Sequence, residues 1–129
     1  MRLAWVVGAV AFAAGCVGGS PGAAQDVTEG FSQAYQQCIT FGERTGKAAI
    51  PAVECAAQEL RRQDARLNAA YKAKMARLSP ARRAALRTDE RAWIARRDRT
   101  CRAEPTPEQR TECAVDQTIK RTAIIRQFR

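Results

Sequence analysis

A chain of 129 residues has room for one domain, and this one contains no histidine, which removes the commonest general base and the commonest metal ligand at neutral pH. Apolar residues reach 46%, but much of that share is alanine and aromatics supply only 6%, so the core is thin and the five cysteines are candidates for covalent support. With 22 Lys and Arg against 13 Asp and Glu, the net charge of +9 selects anionic partners for long-range attraction, unless the arginines merely solvate helix faces.

Residues 1–24 read as an export signal and tether: Arg2, an apolar run over residues 3–14, then small residues. The run is too short to cross a bilayer as a helix. Two cleavage readings stand. Ala13-Ala14-Gly15-Cys16 resembles a lipobox, in which Cys16 takes the lipid and anchors the protein to the membrane. Gly22-Ala23-Ala24 is an ordinary small-x-small site, and a cut there removes Cys16. The odd cysteine count and the Gly-, Ser- and Pro-containing stretch after Cys16 favour the lipid, because four cysteines then remain for two disulfides. Ala13, standing where a lipobox usually has leucine, counts against it. Either cut removes Arg2, lowers the charge to +8 and delivers the domain to an oxidising compartment, the periplasm or cell envelope.

Residues 25–50 show no clean period. Phe31, Tyr35 and Cys38 suggest a short amphipathic turn or two, interrupted by Gly42 and Gly46, in a partly ordered arm held to the domain by Cys38.

The domain proper spans residues 51–129. Its first helix starts near Pro51 and carries the stripe Val53, Ala56, Ala57, Leu60, Leu67, Tyr71, Met75, Leu78 at spacings of three and four. Asp64 interrupts that stripe with a carboxylate on the inner face. Ser79 and Pro80 end the helix and start the next as N-cap and N1. The second helix, residues 80–100, places Leu86, Trp93, Ile94 and Cys101 inward together with Glu90 and Arg97. Folding the two as an antiparallel hairpin brings Arg97 within a turn of Asp64, so an Asp64–Arg97 ion pair is expected at the interface, since an unpaired buried carboxylate is costly. Trp93 then packs near Leu67. After a polar turn, Thr106-Pro107-Glu108-Gln109 matches a capping box and opens a third helix to about residue 127. This helix is expected to present Cys113, Gln117, Lys120, Ile124 and Phe128 along one side, broadened by Val115, Ile119 and Ala123. The fold class is therefore all-α, an antiparallel helical hairpin plus a third helix, stapled by two disulfides.

The hairpin places Cys55 and Cys101 at one end, and Cys113 starts beside them. Cys38–Cys55 with Cys101–Cys113 is favoured because each closes a short loop beside a helix terminus, while Cys55–Cys101 would staple the hairpin equally well. No Cys-x-x-Cys knuckle is present, so disulfides are preferred to zinc and no cofactor is expected.

Nothing in the sequence points to catalysis. Asp89 and Glu90 are adjacent and make a poor acid–base pair, Glu59 and Asp64 are explained as partners of nearby arginines, and no strand leads into a Gly-rich phosphate loop. The Arg61-Arg62, Arg82-Arg83 and Arg96-Arg97 pairs raise nucleic-acid binding, which the export signal opposes.

Cys55-Ala56 with Glu59-Leu60, Asp64, Leu67-Asn68 with Tyr71, Arg91-Ala92-Trp93-Ile94 with Arg97-Asp98 and Cys101, then Cys113 with Thr118 and Arg121, occur in an order that resembles the lysozyme inhibitor LprI-like family over about 90 residues. The resemblance implies an exported, helical, disulfide-bonded domain and, for the family's namesake, inhibition of lysozyme. Animal lysozymes are commonly basic, so the like charge of this chain opposes steered encounter. Leu60, Leu67, Tyr71 and Trp93 read as core and Asp64 with Arg97 as an internal pair. The polar turn containing Arg102, Glu104 and Thr106 is the best placed partner loop, or else a plain connection. Two functions follow: an envelope binding protein that inhibits lysozyme, or an adaptor lipoprotein whose basic face holds an anionic envelope polymer or lipid.

Overall fold

The computed structural model describes residues 30–45 and 51–129, which form α1 (Gln33–Thr45), α2 (Ala52–Arg77), α3 (Pro80–Arg102) and α4 (Pro107–Gln127), with no strand among the described residues. Residues 1–24, read from the sequence as export signal and tether, lie outside them, Cys16 included. The molecule is all-α, with disulfides Cys38–Cys55 and Cys101–Cys113.

Local chemistry sets the helix ends. Leu78 leaves α2 in an extended conformation, Ser79 Oγ accepts from the Arg82 amide at 3.4 Å, and Pro80 occupies the first turn of α3. Two residues therefore reverse the chain. Thr106 and Gln109 form a reciprocal capping box that starts α4 six residues after Cys101.

α3 runs back along α2, with Arg97 reaching Asp64 at 3.6 Å. α4 lies parallel to α2, since Lys74 Nζ near the end of α2 donates to the carbonyls of Arg126 and Phe128 at the end of α4, 2.9 Å each. α4 packs along α2 more extensively than on α3, while α1 packs on the first half of α2. The central helix pair is thus α2 with α4; α3 packs on α4 and approaches α2 only slightly, so the expected α2–α3 hairpin interface is not the main one.

Two cores result. Near the α2–α3 turn, Leu67, Leu86, Trp93 and Ile125 are buried together, covered by Ala70, Tyr71, Met75, Leu78 and Phe128. At the opposite end Tyr35, Cys55 and Ala56 make a smaller cluster beneath Phe31, Cys38 and Ile39. No helix among the described residues is long and apolar enough to cross a membrane.

Several expectations are corrected. The arm contains a 13-residue helix, α1, that passes through Gly42 and buries Tyr35. Val53 and Ile94 face solvent, and Leu60 is half-buried outside both cores. The inward face of α4 is Val115, Thr118, Arg121, Thr122 and Ile125, while Lys120 and Ile124 point outward. The polar members of that face obscured it. Thr118 and Thr122 hide their hydroxyls by donating to the Ala114 and Thr118 carbonyls at 2.7 and 2.9 Å, and so pack as small branched residues.

Candidate functional site

The two buried charged residues among those described, Arg121 and Glu59, are engaged within the fold. Arg121, 4% exposed at its side chain, crosses from α4 to α3 and donates to Asp89 at 2.7 Å and to Glu90 at 2.8 Å. Its guanidinium also lies 5.5 Å from the Trp93 ring centre, and that of Arg97 lies 5.1 Å away, so two cations rest against Trp93. The adjacent Asp89 and Glu90 are thus gathered by one guanidinium, an arrangement that serves structure and leaves neither free for acid–base work.

Glu59 on α2 is the fully buried carboxylate. It accepts from the Ser32 amide at 2.8 Å, the Ser32 hydroxyl at 2.5 Å and Gln63 Nε2 at 2.7 Å, with Arg62 Nε at 3.5 Å. Burial raises its pKa, but these hydrogen bonds and the Arg62 charge outweigh burial and hold it below the ordinary carboxylate value. Beside it the Tyr35 hydroxyl donates to Glu112, and Phe31 stacks on Tyr35 at 4.8 Å between ring centres. Burial first, then the bond to Glu112 and the charges of Glu112, Glu108 and Glu59, push the Tyr35 phenol well above its ordinary value.

Asp64 and Arg97 do meet, yet at the edge of the bundle. The Asp64 side chain is 45% exposed, and Arg97 is shared with Asp98 at 3.0 Å. Partial burial raises the Asp64 pKa, with Arg97 lowering it and Asp98 adding to the rise. The pair is a rim contact and not the internal one expected. Glu59 and Arg121 take the internal roles instead. Both residues stood in the matching pieces of sequence, and what concealed them was partners 27 and 31 to 32 residues away.

The turn after α3 is exposed and firmly held. Cys101–Cys113 closes it, Thr106 is committed to the α4 cap, and Arg110 donates to the Glu104 carbonyl at 2.8 Å and the Pro105 carbonyl at 3.3 Å. Arg102 projects from the last turn of α3, and Glu104 is half-buried. A turn so constrained gives up little entropy when it meets a partner.

Charge is divided along the bundle. Residues 66–91 and 120–129, the half nearest the α2–α3 turn, hold twelve Lys and Arg against two acidic residues. Residues 51–65 and 92–119, the half with the disulfides, hold seven against eight. The basic excess of the chain therefore belongs to the turn end. On the flank, Gly30, Phe31, Ile119, Ala123 and Ile124 line a shallow groove of about 490 Å³ edged by Asp116 and Lys120. Among the described residues no three His, Cys, Asp or Glu side chains are grouped to hold a metal.

An all-α domain with two disulfides and a turn pinned between α3 and α4 is the class defined by this fold. A family model described as lysozyme inhibitor LprI matches residues 43–124, and the chain belongs to that family. No curated protein and no solved structure matches it. The family is one of inhibitors and not of enzymes, and two disulfides fit a non-cytoplasmic compartment.

Proposed function

We propose that the protein is a binding protein of the bacterial envelope that inhibits lysozyme through its disulfide end, with the turn at Arg102, Glu104 and Thr106 at the centre of the contact. The observation that carries this reading is the division of charge. The like charge that opposes approach of a basic lysozyme lies on the turn end, whereas the disulfide end is slightly acidic and carries the exposed, pre-organised turn. Glu104 and Glu108 make no ion pair among the described residues, so they are available to a cationic partner.

The same reading places the protein in the periplasm or on the envelope, anchored through a lipid at Cys16. Support comes from the lipobox-like residues 13–16 and from the even set of four cysteines that remains for the two disulfides. The intact mass of the exported protein tests this part, because anchoring requires a diacylglyceryl group on Cys16.

Inhibition is tested by cell-wall lysis with a basic animal lysozyme and the purified oxidised protein, at low and physiological salt. Inhibition is expected, weakened about tenfold by Glu104→Lys combined with Glu108→Lys as attraction at the disulfide end is reversed. Full lysozyme activity at high micromolar protein refutes the reading.

A further inference from the structure

We propose that the turn end is a second interaction surface, which docks on an anionic lipid bilayer. Three helix ends meet there: the C-termini of α2 and α4 and the N-terminus of α3. Arg77, Arg82 and Arg126 are exposed beside them, with Lys72, Arg87 and Arg91 exposed further along α2 and α3, and none forms an ion pair among the described residues. The two acidic residues of this half, Asp89 and Glu90, are held by buried Arg121, so the trio carries one net negative charge against eleven other Lys and Arg. Cations contributed from three helices surround the end of the bundle, an arrangement that a plane of anionic headgroups meets more fully than a single extended polyanion. At its centre lie half-buried Leu78 and Phe128 and exposed Pro80, which suit the boundary between headgroups and acyl chains.

The course of the chain supports this orientation. Going backwards along α1, Cys38 meets Cys55, Ser32 meets Glu59, and Gly30 shares a groove with Ile119 and Ile124. Gly30, the first described residue, therefore stands beside the second half of α4. The 13 residues between Cys16 and Gly30 span at most about 45 Å, while Ile124 stands only about 8 Å from the end of the chain. A membrane beneath the turn end is within reach of Cys16 and leaves the disulfide end facing away from the bilayer. The surface does not depend on lysozyme inhibition, nor on a lipid at Cys16.

The test is cosedimentation of the full exported chain carrying Cys16→Ser, disulfides intact, with phosphatidylcholine vesicles containing or lacking one quarter phosphatidylglycerol. Binding is expected to the anionic vesicles alone and to fall between roughly 50 and 300 mM salt. Arg82→Gln with Arg87→Gln is expected to weaken it by about fivefold per charge removed, or about 25-fold together. Arg96→Gln with Arg99→Gln removes the same charge from the other half of α3 and is expected to change binding little. Circular dichroism confirms that each variant is folded. Equal binding to neutral vesicles, equal loss in both pairs, or capture by soluble polyglutamate without vesicle binding overturns the proposal, the last in favour of a polymer partner.

Discussion

The two ends of this bundle are held together by different physics. At the turn end, Leu67, Leu86, Trp93 and Ile125 close a conventional apolar core, and the surface around it is almost uniformly cationic. At the disulfide end the apolar cluster shrinks to Tyr35, Cys55 and Ala56, and two covalent bonds and a buried carboxylate supply what it lacks. The difference teaches where each end is vulnerable. Packing governs the first, whereas redox state and pH govern the second. Such a division suits a small domain that presents one end to a partner, because cross-links fix a surface turn without requiring a large core beneath it.

The largest expected effect comes from removing the apolar end's centre. Trp93 is buried among Leu67, Leu86 and Ile125 and lies against the guanidinium groups of Arg97 and Arg121. Trp93→Ala is expected to cost about 3 to 5 kcal/mol, enough to unfold much of so small a domain under ordinary conditions. Urea denaturation measures the loss. A folded Trp93→Ala protein that has lost only lysozyme or vesicle binding would move Trp93 from the core to an interface and break the contrast between the two ends.

Removing the Cys38–Cys55 bond with paired Cys→Ala substitutions is expected to cost about 3 kcal/mol, since the cross-link closes a 17-residue separation. The loss is expected to be local. α1 touches the rest of the domain chiefly through α2, so hydrogen exchange is expected to show lost protection over α1 while the Trp93 region of α3 keeps its own. Equal loss everywhere would show that the two ends fold as one cooperative unit.

A smaller, pH-dependent effect is expected from Glu59, whose buried carboxylate holds Ser32 and Gln63 by hydrogen bonds. Its folded-state pKa is lowered, so the unfolded state binds the proton more readily. The stabilisation is present above the ordinary carboxylate pKa and is lost as pH falls through the lower folded value. Glu59→Gln is expected to flatten this acid limb in urea titrations between about pH 2 and 6. Tyr35 acts at the opposite limit. Its raised pKa keeps its contribution intact below about pH 10 and removes it as pH rises beyond that.

The sequence made the helix breaks legible because they rest on local chemistry: Ser79 and Pro80 at the first reversal, Thr106 to Gln109 at the second. Trp93 and Leu67 could be placed in the core from helical spacing. Spacing failed where side chains of the wrong polarity were buried. On α4, outward Ile124 and inward Arg121 invert the apolar pattern, and the reason, two carboxylates on α3, is a tertiary fact. α1 was legible in part: Phe31, Tyr35 and Cys38 do mark its packed face, but its continuation through Gly42 to Thr45 did not follow from that spacing. The constraint on the turn between α3 and α4 was legible through its cysteines. The concentration of charge at the turn end required the direction of α4, which the α2–α3 hairpin alone leaves undefined.

The smallest effect tests where the boundary between the two ends falls. Asp64 and Arg97 lie at 3.6 Å on the bundle's rim, with the carboxylate nearly half exposed and the guanidinium shared with Asp98. Solvent screening and that sharing leave a double-mutant coupling of about 0.5 kcal/mol or less, and raised salt is expected to reduce it further. Asp64→Asn should even be close to neutral, because the raised pKa of Asp64 shows that burial already disfavours its charge more than Arg97 favours it. A coupling of several kcal/mol in a cycle of Asp64→Asn and Arg97→Gln would show instead that the pair is desolvated in solution. The charged network of the disulfide end would then extend into the middle of the bundle, and the apolar core would govern correspondingly less of it.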